Sequence, residues 1–103
     1  MNQNTSDTIF MTIQAPSAVV WQGEVRSVES ANSEGQFTIL PDHANFMTPL
    51  ESTDIIVTFA DSSERVYRYE HAVLFLENNR LTLYVHDETP QLPDEVVVSE
   101  SEE

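Results

Sequence analysis

Apolar residues fall at every second position in one segment after another of this chain, with turn-forming residues between segments about every ten positions. Residues 8–14 place Ile9, Met11 and Ile13 on one face, because successive side chains of a strand point to opposite sides of the sheet. The same reading gives strands at 18–21, 24–31, 36–40, 54–60, 65–69, 72–76 and 81–85. In 65–69, Val66 and Arg68 share one face and Tyr67 and Tyr69 the other, so the tyrosine side is assigned inward. Gln22-Gly23 reads as a tight corner, while Asn32-Ser33-Glu34-Gly35 and Asp61-Ser62-Ser63 read as turns. Asn78-Asn79 suits a two-residue hairpin, since asparagine tolerates positive φ. No segment carries a helical period. The expected class is therefore all-β, a sandwich or barrel of short strands.

At 103 residues the chain supports one domain. Its 40% hydrophobic content is enough for a packed core. Without cysteine, disulfides, thiol catalysis and cysteine-ligated metals are excluded. No apolar run approaches the ~20 residues of a membrane span. Residues 1–7 lack the basic-then-apolar pattern of a secretory signal, so a cytoplasmic protein is expected. The net charge of −14 comes from 18 acids against four arginines and no lysine, which makes nucleic acid and anionic membranes poor partners. Seven of the acids lie in residues 87–103, beyond Thr89-Pro90-Gln91-Leu92-Pro93 or just before it, and no base accompanies them. The expected organisation is a flexible N-terminus at 1–7, a β-domain at 8–87 and an acidic, disordered tail at 88–103 in which Val96-Val97-Val98 is available to pair with an edge.

Chemistry of its own is not expected. His43, His71 and His86 each adjoin an acid, but neighbours in a strand face opposite ways, and no close-spaced set of three ligands is present for a metal. There is no nucleophile elbow, and two glycines twelve positions apart exclude a phosphate loop. No cofactor is expected. Trp21 and the phenylalanines are assigned to the core, with Phe46 and Met47 in a loop that either tucks under the domain or enters a subunit contact.

The segment Ser33-Glu34-Gly35-Gln36-Phe37-Thr38-Ile39-Leu40-Pro41-Asp42-His43-Ala44 resembles the signature of the epsilon subunit of rotary F-type ATP synthases. The resemblance runs collinearly over residues 8–86, through Met11-Thr12-Ile13-Gln14-Ala15-Pro16, Gly23-Glu24-Val25-Arg26-Ser27-Val28 and Leu81-Thr82-Leu83. It implies an N-terminal β-sandwich of about ten strands. It also implies a non-catalytic stalk protein, peripheral to the membrane, that binds the gamma subunit and the c-ring to couple proton or sodium flow to ATP synthesis. By the same resemblance, the turn Ser33, Glu34, Gly35 and Gln36 would lie near the ring. The corner Asp42-His43, with Phe46 and Met47, would lie at the gamma or ring contact.

The departures are informative. Thr38 and His71-Ala72 stand where the family has glycines, Asn45 where it has a proline, and Glu51-Ser52-Thr53 where it has a Pro-Gly turn. Family members continue into a C-terminal helical hairpin that senses ATP. Leu92-Pro93-Asp94-Glu95 falls where its first helix would begin and the sequence runs only eight residues further, so that function is expected to be missing. The rival reading is a free-standing epsilon-like interaction module outside the synthase, either monomeric or a homo-oligomer when isolated.

Overall fold

The computed structural model describes residues 7–86. Nine strands run through them: β1 (Ile9–Gln14), β2 (Val19–Val25), β3 (Ser27–Asn32), β4 (Gly35–Ile39), β5 (Phe46–Leu50), β6 (Thr53–Thr58), β7 (Glu64–Tyr69), β8 (Ala72–Glu77) and β9 (Arg80–Val85). They form a five-stranded sheet ordered β2-β1-β9-β8-β5 and a four-stranded sheet ordered β4-β3-β6-β7. All pairings are antiparallel except β1 with β9. The all-β expectation stands, as a two-sheet sandwich. No helix among the described residues is long and apolar enough to cross a membrane.

Alternation decides which side chains fill the space between the sheets. Ile9, Met11 and Ile13 of β1, Leu74 and Leu76 of β8, and Leu81 and Leu83 of β9 are buried from one sheet. Val28, Ile39, Ile55, Val57, Tyr67 and Tyr69 meet them from the other, so the tyrosine face of β7 is indeed the inner one. Burying a side chain of this size contributes roughly 1.5–3 kcal/mol.

Three local readings needed correction. Gln22-Gly23 is no corner: β2 runs straight through it, and the chain changes sheets at Arg26, whose amide donates to the Thr58 carbonyl at 2.7 Å. Gly23 is instead a seat for Trp21, because a Cβ there would stand 2.8 Å from a carbon of the indole ring. The indole continues to the other sheet, meeting Phe59 edge-on at a centroid distance of 5.7 Å. Phe46 and Met47 lie in strand β5 rather than in a loop. That strand escaped notice because it contains Pro49, which an outermost strand tolerates where it has no ladder bond to donate. Finally, Trp21 and the phenylalanines sit around the core rather than within it. Trp21, Phe37, Phe46 and Phe59 are half-buried against it, while Phe10 and Phe75 lie on the outer face.

The hairpin at Asn78-Asn79 forms as expected, both residues having positive φ (53° and 64°), between the paired Glu77 and Arg80. The tail beyond His86, with Val96-Val97-Val98, lies outside the described residues.

Candidate functional site

All but Met47 of the sequence-predicted residues separate into two places, because β4 lies between them. Its five residues span about 17 Å. At one end, Ser33 and Glu34 form the two-residue turn joining β3 to β4. The Asn32 carboxamide braces it, accepting from the Glu34 amide at 2.8 Å and donating to Thr48 Oγ1 of β5 at 3.0 Å. Gly35 supplies a φ of 121°, which a side chain would strain. Gln36 turns away to a groove on the outer face of the four-stranded sheet, beside Thr38 and Arg68.

At the other end, Leu40-Pro41-Asp42-His43 makes a turn closed by the His43 amide donating to the Leu40 carbonyl at 3.1 Å. Proline at the second position and Asp42 at φ 66° in the third are the requirements of a type II turn. The corner is clasped by the β8–β9 hairpin. Asn79 Oδ1 accepts from the Asp42 amide at 2.8 Å, Asn79 Nδ2 donates to the Thr8 carbonyl at 2.8 Å, and Asn45 Oδ1 accepts from the Asn78 amide at 3.0 Å. The His43 ring stacks edge-on to Phe46 at 5.9 Å, and Phe46 to Phe37 at 5.2 Å.

Met47 belongs to a third feature that sequence reasoning did not find. Four of the five exposed large apolar side chains among the described residues are Met47 (65% exposed), Val19 (49%), Tyr84 (49%) and Val73 (39%), and all four lie on the outer face of the five-stranded sheet. The register aligns them. One cross-strand row reads Pro49, Val73, Tyr84, Gln14, Val19, and the row beside it reads Met47, Phe75, Thr82, Thr12, Gln22. Val19 faces outward because β2 carries an extra residue, Val20, opposite the Ile13–Gln14 step, which breaks its alternation. Farther along the same face the chemistry changes: Glu77 opposes Arg80, whose guanidinium lies 5.6 Å from the centre of the Phe10 ring, and Phe10 opposes Glu24.

A clue was present in the sequence. β8 opens with five consecutive apolar residues, Ala72-Val73-Leu74-Phe75-Leu76, the pattern of a strand covered on both faces. Among the described residues, only one of its faces is covered.

His71 and His86 lie at the end of this face, both lining a shallow hollow of about 310 Å³ with Pro49, Glu51, Val73 and Tyr84. His71 Nε2 stands 4.0 Å from the Glu70 carboxylate. Among the described residues no group of three histidine and carboxylate side chains is placed to hold a metal. The Ser33 turn borders a neighbouring hollow that also contains Pro49 and Glu51, so it adjoins the apolar row, whereas the Asp42-His43 corner does not.

The family described as "ATP synthase, Delta/Epsilon chain, beta-sandwich domain" matches residues 8–90. The chain belongs to this family. Among its relatives, the ATP synthase epsilon chain of Clostridium botulinum (strain Eklund 17B / Type B) is 26% identical over 97 residues, covering 94% of this chain and 71% of the relative. The epsilon chain of Campylobacter jejuni is 41% identical over 56 residues, covering 54% of this chain and 43% of that one. Among solved structures, a mitochondrial ATP synthase from Euglena gracilis contains a chain of the same fold, with a TM-score of 0.76 at 14% identity. That match covers 87% of this chain but only 57% of the other. The central stalk and c-ring structure from Tetrahymena thermophila gives a TM-score of 0.60 at 11% identity, covering 76% of this chain and 63% of its counterpart. The relatives are epsilon chains, a non-catalytic subunit of the synthase.

Proposed function

We propose that this chain is an epsilon-type central-stalk subunit of a rotary ATP synthase that docks on the gamma subunit through the outer face of its five-stranded sheet. The observation that carries this reading is the exposed apolar row from Pro49 through Val73 and Tyr84 to Val19, with Met47 and Phe75 beside it. The apolar surface is contiguous across β5, β8 and β9 and is interrupted by Gln14 before Val19, and exposed apolar surface of this kind marks a site for another protein. The Ser33–Gln36 turn, which adjoins the Pro49 end of that row, is the segment directed toward the c-ring, and the Asp42-His43 corner provides a second contact at the opposite end of β4. The role is mechanical. The domain helps link proton or sodium flow through the ring to ATP synthesis elsewhere in the complex, and takes part in no bond-breaking step.

Co-elution with the host's own F1 core, stripped of its resident epsilon, tests the reading. Binding is expected to depend on gamma. Val73→Asp and Tyr84→Asp should weaken it about 30-fold or more, as truncation of interface anchors does, while both variants melt close to the parent. His43→Ala should weaken it less, and unchanged affinity would remove the corner from the contact. Absence of binding by the parent chain at about ten micromolar, a level at which a working contact is formed, would favour the free-standing module.

A further inference from the structure

The docking face also constrains the chemistry of what covers it. Resting on the reading above, we infer that the partner segment seated on the Pro49–Val73–Tyr84–Val19 row is apolar along its middle and bordered by lysine or arginine side chains. The row crosses all five strands, about 19 Å at the usual strand spacing, with Gln14 of β1 as its one polar position, so it sets a stripe rather than a point contact. Its border is acidic. Glu51 lines the hollow at the Pro49 end, Glu70 precedes His71 on the same rim, Glu77 continues the outward face of β8 beyond Phe75, and Glu24 ends the row that begins at Glu77. Among the described residues the one arginine in that border, Arg80, is already set between Glu77 and the Phe10 ring.

A second copy of this chain is disfavoured as the occupant. Its own net charge is −14, so pairing two such faces would bring like charges together. A partner with basic flanks gains twice, by covering the apolar stripe and by neutralising its rim. Rim charges act chiefly on the rate of association and its salt dependence, which makes the inference separable from apolar docking itself.

The test measures association of the whole chain with the epsilon-depleted F1 core of its host at about 50 mM and about 500 mM NaCl, where screening lengths differ roughly threefold. The charge-neutral double variant Glu51→Gln/Glu77→Gln and the apolar variant Val73→Asp are compared with the parent. Both glutamates are exposed, so the double variant is expected to melt with the parent. For the parent, association should slow about tenfold at the higher salt. The double variant should associate more slowly at low salt and lose most of that salt dependence. Equal rates at both salts, or a double variant matching the parent at both, would overturn the basic border; if Val73→Asp still abolished binding, apolar docking would stand without it. No binding by the parent at either salt would remove the docking reading and this inference together.

Discussion

Single residues here answer to two constraints that the local pattern does not reveal. Gly23 sits in mid-strand, where glycine ordinarily weakens a sheet, because the Trp21 indole occupies the space its Cβ would fill. Gly23→Ala should displace the ring, loosen the contact with Phe59 and destabilise the fold by about 1–3 kcal/mol, measured by denaturant titration. Tyr69 presents the reverse case. Among the described residues its hydroxyl is buried without a hydrogen-bond partner, and burial, with the neighbouring Tyr67, pushes its pKa up to about 12 from an ordinary 10.0. Because the folded form holds its proton more tightly than the unfolded chain, this contribution is fully present below pH 10.0 and is lost as pH rises toward about 12. Tyr69→Phe should leave neutral-pH stability unchanged or raise it by up to about 1 kcal/mol. It should also flatten the alkaline decline in melting temperature.

At the level of elements, the β8–β9 hairpin does more than reverse the chain. Both asparagines supply positive φ, yet only the Asn79 side chain bridges two other segments, to the Asp42 amide and the Thr8 carbonyl. Glycine at either position keeps the turn geometry. Asn78→Gly should therefore be nearly neutral, while Asn79→Gly should cost about 1–2 kcal/mol through two lost hydrogen bonds, a difference that paired thermal melts will show. The turn residues were legible in the sequence because their φ preference is local. Their long-range hydrogen bonds were not, since Asn79 and Asp42 come together only when β4, β8 and β9 are in place. Strand β5 was hidden for a related reason: Pro49 looks like a breaker until its strand is known to be an outermost one.

For the molecule as a whole, an apolar face and a strong negative charge act in opposition. The isolated chain should be monomeric at low salt, because repulsion between copies outweighs burial of Val73, Tyr84 and Val19. At about 1 M NaCl, where screening shortens to about 3 Å, weak self-association should emerge in sedimentation velocity and should be absent from Val73→Asp. Sedimentation that is unchanged by salt would show that the exposed row is too small or too interrupted to act as an adhesive surface.

The sequence alone determined the fold class and the inward faces of β1 and β7, because period-two alternation is a local property and one face of each strand must leave water. It also carried the family resemblance in the run from Ser33 to Ala44. Only the tertiary structure decided that Asn79 of the β8–β9 hairpin clasps the Asp42-His43 corner, and that Val19 from the second strand lies in line with Tyr84 from the ninth. Such alignments depend on strand order, on the parallel pairing of β1 with β9 and on the extra residue at Val20. Each is set by which strands bury which faces together, a choice that no stretch of local pattern contains.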